Sequence, residues 1–163
     1  MIQITRARVW FARMSGRPRV RKRPREVVGT DDPPQSSDLA KLTQLALDAM
    51  GNAQCKHSKY KVGACLESTS GQFHTGVNVE SDSYGLCCCA ERVALFKALS
   101  HGDCDFVAMV CATKDGGISC GACRQLLREY CNPKMRTIFV DSDGVIVNDT
   151  SVGEMLPNPF VLR

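Results

Sequence analysis

Two short runs constrain this chain more than anything else in it: Cys89-Ala90-Glu91 and Cys120-Gly121-Ala122-Cys123. Three thiols at these spacings, with a carboxylate two residues after the first, fit a catalytic zinc site. Three cysteines hold Zn²⁺ and leave a fourth position open for water, which is what separates catalytic from structural zinc. Glu91 is then placed to move protons on and off that water. One ion shared by both runs pins them together, and the rest of the chain is read as the frame around that point.

The 163 residues suffice for one domain with a real core. The ten cysteines favour an intracellular thiol and metal protein over a disulfide scaffold, because such scaffolds are shorter and lack long amphipathic segments. No run approaches the roughly 18 apolar residues of a membrane span. The net charge of +4 is unevenly spread. Residues 1–26 hold nine Arg or Lys against Glu26 alone, whereas the remainder holds twelve bases and sixteen acids. The part expected to fold is therefore mildly acidic and carries no evident nucleic-acid footprint.

Residues 1–36 lack the period of a packed element and end in the loop-like run Asp31-Asp32-Pro33-Pro34-Gln35-Ser36-Ser37. They read as a basic, disordered tail. A mitochondrial transit peptide built on Arg6, Arg8 and Arg13, or a nuclear-localisation cluster at Arg17 to Arg25, are the targeting alternatives to a cytoplasmic protein. Residues 37–163 form the catalytic domain. Asp38 caps a helix whose apolar stripe is Leu39, Leu42, Leu45, Ala46 and Ala49, ending at Gly51. Tyr60 to Leu66 and Gln72 to Val79 make a hairpin about Ser70-Gly71. A helix runs from about Cys88 to Ser100 and stops at Gly102. Phe106 to Ala112 is a buried strand, and a helix follows from Gly121 to Tyr130. Thr137 to Val140 and Val145 to Val147 are short strands about Asp141-Ser142-Asp143-Gly144. This order predicts an α/β fold, a three-layer α/β/α sandwich around a mixed five-stranded sheet.

Cys120 and Cys123, three apart at a helix start, both reach one ion, and Cys89 also sits near a helix start. The positive ends of those helices lower thiol pKa values and stabilise thiolate ligands. Three thiolates on Zn²⁺ leave a net charge of −1. Arg92 is the candidate donor that offsets it from outside the ligand set, with Arg124 a weaker one.

Cys89-Ala90-Glu91-Arg92 and Cys120-Gly121-Ala122-Cys123-Arg124-Gln125 resemble the zinc motifs of the cytidine deaminase family. Val62-Gly63-Ala64, Gly76-Val77-Asn78-Val79-Glu80, Ser83-Tyr84-Gly85 and Met155-Leu156-Pro157-Asn158-Pro159-Phe160 also resemble segments of the small nucleoside deaminases, so the likeness covers roughly residues 38–160. It implies one zinc per subunit on Cys89, Cys120 and Cys123, which supplies an acidified water. It further implies that Glu91 takes a proton from that water, delivers one to N3 of the pyrimidine and carries one to the departing amine. Asn78 and Glu80 are implied to bind the ribose hydroxyls, Ala90 to touch the substrate, Tyr60 to pack near the base, and Phe160 to reach a neighbouring subunit's site. A homotetramer with shared sites is implied as well.

Three positions depart from the family's pattern. Ser119 stands where proline is usual, which loosens that loop without removing a ligand. Ser81-Asp82 replaces a common Asn-Ala, and Tyr60 replaces phenylalanine. Cys87 and Cys88 crowd the site but read as packing residues, since only Cys89 lies two before Glu91. Cys55, Cys65, Cys104, Cys111 and Cys131 read as small hydrophobes. His57, His74 and His101 fall outside these motifs and are assigned no role.

Hydrolytic deamination of free cytidine and deoxycytidine, as in pyrimidine salvage, is the leading expectation, with a small nucleoside as the partner and neither membrane nor nucleic acid. One alternative is a deaminase of another aminopyrimidine nucleoside such as blasticidin S, against which Glu80 argues because it suits a ribose diol. Another is a polynucleotide cytosine deaminase recruited through the basic tail. A zinc-stabilised nucleic-acid module is the non-enzymatic alternative, and it predicts four protein ligands on the metal.

Overall fold

The computed structural model describes residues 38–162. The basic segment 1–36, with its targeting readings, lies outside the described residues. Helix α1, Leu39–Met50, starts where Asp38 Oδ1 accepts a hydrogen bond from Lys41 N at 2.9 Å. The cap satisfies one of the amide groups that a helix start leaves unpaired. Strand β1, Val62–Ser68, turns through Gly71 into β2, Phe73–Val77, and the two pair antiparallel. Helix α2, Ala90–His101, ends on Gly102 in the left-handed conformation. Strand β3, Phe106–Thr113, helix α3, Gly121–Tyr130, and strand β4, Arg136–Val140, make a parallel crossover. Strand β5, Ile146–Ser151, and the single-turn helix α4, Val152–Met155, complete the described chain.

The sheet order is β2-β1-β3-β4-β5, with only β3 and β4 parallel. All eight residues of β3 are buried, as expected of a central strand covered on both faces. Side chains on β1 alternate between two cores. Cys65 faces α1 with Leu42, Ala46, Val110 and Ile138. Ala64 and Leu66 face the opposite side with Ala94, Leu95, Leu127, Met109 and Phe139. The expected three-layer α/β/α sandwich on a mixed five-stranded sheet is what forms. Among the described residues no helix is long and apolar enough to cross a membrane.

The differences from expectation lie at element ends. Helix α2 starts at Ala90 rather than near Cys88, because Cys89 takes an extended conformation as its N-cap. Strand β5 extends to Ser151 instead of stopping at Val147. Its polar half sits on a sheet edge, where Asp149 pairs with Arg136 and the side chains are exposed or half-buried. A 3₁₀ turn at Tyr84–Leu86 and helix α4 had not been expected. Helix α4 opens with a capping box in which Ser151 and Glu154 exchange hydrogen bonds.

One close approach sets where α2 lies. A methyl group on Gly76 in β2 would fall 2.3 Å from Ala90 O and 2.4 Å from Ala94 N. The first two turns of α2 therefore rest directly on the backbone of β2, and only glycine permits it.

Candidate metal centre and active site

The two helix starts deliver the thiols. Cys89 is the N-cap of α2 (φ −75°, ψ 155°) and Cys120 the N-cap of α3 (φ −70°, ψ 164°). Neither side chain caps its own helix, so both are free to turn towards each other. Cys123 follows one turn inside α3 and is fully buried. Cys89 Sγ lies 3.8 Å from Cys120 Sγ, and Cys120 Sγ lies 3.5 Å from Cys123 Sγ. All three sulfurs fall within 4.8 Å of one another, the one such cluster of potential metal ligands among the described residues. Zinc–sulfur bonds of about 2.3 Å in a tetrahedron place sulfurs about 3.8 Å apart, so the spacing fits one Zn²⁺. It is too long for a disulfide, and the cysteines are free. Cys120 is exposed, which leaves one side of the cluster open to solvent.

Glu91 is almost completely buried, in the first turn of α2. Its charge raises the thiol pKa values of both Cys89 and Cys123, which places the carboxylate electrostatically beside the cluster. The Cys123 thiol, hydrogen-bonded to Cys89, pulls the Cys89 pKa down to about 6, with help from Arg92 and Cys120 and against burial and Glu91. The same hydrogen bond, together with burial, pushes Cys123 up. Arg92 Nη2 donates to Cys89 Sγ at 3.7 Å and to Cys87 O at 2.9 Å, so one cation faces the sulfur charge. Arg124 is turned elsewhere. It donates to Ser119 O at 2.7 Å and Met155 O at 3.3 Å, bracing the loop before Cys120 rather than a sulfur.

Val79 joins the two residues expected to bind the sugar to this centre. It pairs with Cys88 through two 2.9 Å backbone hydrogen bonds, one residue before the first ligand. Asn78 and Glu80 flank it. Asn78 Oδ1 accepts from Val62 N at 2.9 Å, and Nδ2 donates to Tyr60 O at 2.8 Å. Glu80 Oε2 accepts from His57 N at 2.7 Å and Ser58 N at 3.1 Å, while Oε1 accepts from the Ser58 hydroxyl. The Ser58 hydroxyl above all holds the Glu80 carboxyl below its usual pKa, against burial, and these amides add to the lowering. Tyr60 lies at the end of that segment and is partly exposed. The Ala90 methyl is buried in the core, which leaves only its backbone to face a ligand. Phe160 is bound to α3 through its backbone, with Gln125 bonding both its N and its O, but its ring is 70% exposed. Cys87 Sγ accepts from Ser81 N at 3.3 Å, outside the ligand set. Ser119 is buried, with a hydroxyl that has no hydrogen-bond partner. Ser58 and Asp115 are contributors that no motif marked.

A family model described as the cytidine and deoxycytidylate deaminase zinc-binding region matches residues 36–139. The chain belongs to that family. A cytidine deaminase of Sporosarcina psychrophila is 39% identical over 125 residues, covering 76% of this chain and 91% of that protein. One from Halalkalibacterium halodurans is 40% identical, also over 125 residues, covering 76% of this chain and 94% of that protein. Among solved structures, the cytidine deaminase of Burkholderia pseudomallei superposes with a TM-score of 0.70 at 38% identity, covering 74% of this chain and 97% of that one. Membership accounts for the pairing of a metal-ready thiol cluster with a buried carboxylate on one helix start.

Proposed function

We propose that the chain hydrolyses the exocyclic amine of cytidine and deoxycytidine, releasing ammonia with uridine or deoxyuridine. The observation that carries this reading is the buried Glu91, in the first turn of the helix that Cys89 caps, together with three sulfurs spaced for a single zinc with one side open. Cys89, Cys120 and Cys123 would hold the zinc, which would supply the Lewis acidity that brings a water to neutral-pH reactivity. Glu91 takes one proton from that water and gives it to the ring nitrogen N3, then takes the second from the hydroxyl added at C4 and carries it to the leaving amine. A single carboxylate suffices because these transfers are sequential. Arg92 offsets the sulfur charge, and the positive ends of α2 and α3 act in the same sense. Asn78 and Glu80 orient the sugar. The ionised Glu80 accepts from a ribose hydroxyl, which favours a ribonucleoside or deoxyribonucleoside over blasticidin S.

The exposed ring of Phe160, followed by exposed Val161 and Leu162, forms an unpartnered apolar segment. It supports a homotetramer in which this segment covers a neighbour's site. The test is an ultraviolet assay of cytidine loss with metal analysis of the same sample. Glu91→Gln should keep zinc and lose about 10²- to 10⁴-fold in rate, whereas Cys120→Ala should lose zinc as well. Release of ammonia by Glu91→Gln at the wild-type rate would end this mechanism. Assaying blasticidin S in parallel separates the two nucleoside readings.

A further inference from the structure

The segment 57–60 lies across the sugar residues as a strap. It supplies three hydrogen bonds to Glu80, from His57 N, Ser58 N and Ser58 Oγ, and Asn78 holds it through Tyr60 O. Lys59 within it has φ 57°, the one non-glycine residue with positive φ among the described residues. Such a conformation persists only where its surroundings impose it, so the strap needs an anchor. At its end the Tyr60 hydroxyl donates to Asp115 Oδ1. The same oxygen accepts from Thr113 Oγ1 at 3.2 Å, and Thr113 Oγ1 accepts from Gly117 N at 2.7 Å. Gly117 also makes room for the phenol, since a methyl group there would lie 2.4 Å from Tyr60 Oη. These residues begin the loop 114–119, which leaves β3 and delivers Cys120. Phenylalanine would fill the same space but has nothing to donate.

We propose that Asp115 is a positioning residue. By holding the Tyr60 hydroxyl, it fixes the strap that orders Asn78 and Glu80 to the loop that presents Cys120, so sugar binding and metal retention are coupled. The sugar half rests on the nucleoside reading above; the metal half does not. Burial and the bond to Asp115 push the Tyr60 phenol up, while that bond holds Asp115 down, so the proton stays on tyrosine and the charge on aspartate. A charge-assisted bond of this kind is stronger than a neutral one, and it reaches across 55 positions of sequence.

The test is a double-mutant cycle on the zinc-loaded protein with Tyr60→Phe, Asp115→Ala and the pair, plus Asp115→Asn. Two readouts are taken: kcat and KM for cytidine, and the rate of zinc loss to excess chelator. Tyr60→Phe and Asp115→Ala should each raise KM about tenfold with kcat little changed, the loss of one charge-assisted bond. Each should also speed zinc loss several-fold, and the double variant should match the singles. Asp115→Asn keeps an acceptor oxygen and should fall between wild type and Asp115→Ala, which also guards against misfolding of the alanine variant. Effects that add in the double variant overturn the coupling, as does movement of one readout alone. A lowered melting temperature with KM and zinc loss unchanged leaves only a structural bond and also overturns it. If wild type leaves cytidine intact, the proposed function fails instead, and zinc loss across the cycle still decides whether the latch exists.

Discussion

Gly76→Ala is the perturbation that most directly tests how the fold holds the metal centre. The added methyl would sit 2.3 Å from Ala90 O and 2.4 Å from Ala94 N. Ordinary contact begins near 3.5 Å, so α2 has to retreat from β2 by about 1 Å. Both obstacles are helix backbone, and no side chain can rotate aside. Overpacking of this kind costs about 3 kcal/mol, the upper end of the usual range, and lowers the melting temperature by about 10 °C for a chain of this length. The functional loss should be larger, because the displaced turn carries Cys89 and Glu91 while Cys120 and Cys123 stay on α3. Metal sites tolerate ligand shifts of about 0.2 Å, and a 1 Å misplacement of catalytic groups costs about 10²-fold in rate. Calorimetry, zinc content per chain and kcat/KM on cytidine are the assays. Gly85→Ala is the control, since a methyl group there meets nothing within 4 Å, and it should stay within about 0.5 kcal/mol of wild type. A Gly76→Ala protein that melts with wild type and binds a full zinc would refute the argument that this contact positions α2.

Ser119→Ala removes a buried hydroxyl that has no hydrogen-bond partner and should stabilise the protein by about 1 kcal/mol with zinc binding intact. A lower melting temperature for this variant would show that the hydroxyl is satisfied in solution. In metal-free protein, iodoacetamide labelling of Cys89 followed by mass spectrometry should rise with a midpoint near pH 6, where its pKa is drawn to about 6. Zinc should suppress the labelling, and a midpoint near 9 would contradict the thiol network. The sign for stability follows from the same depression. The fold favours the Cys89 thiolate, so that contribution is complete above the unfolded thiol's pKa and is lost as pH falls through about 6.

What the sequence made legible divides along the range of the interactions. Local rules located nearly every element. Asp38, Gly71 and Gly102 bound α1, the hairpin and α2, and the apolar run at Phe106 marked the central strand. The three thiols were legible because metal chemistry restricts residue type, and a helix start restricts position. Helix α4 was equally legible in principle, since Ser151 and Glu154 carry the capping-box spacing, but four residues give no apolar period to notice. The polar end of β5 was not, because an edge strand needs no apolar face. The contacts that hold Glu80 and Tyr60 belong to a different class. Ser58 meets Glu80 across 22 positions and Tyr60 meets Asp115 across 55, both from loops without period. Tyr60 shows the difference most clearly. By shape alone it is a conservative replacement of phenylalanine, and only the fold supplies the acceptor that turns its hydroxyl into a tie between the sugar strap and the zinc loop. A substitution conservative in shape can therefore carry a contact whose partner sequence does not reveal.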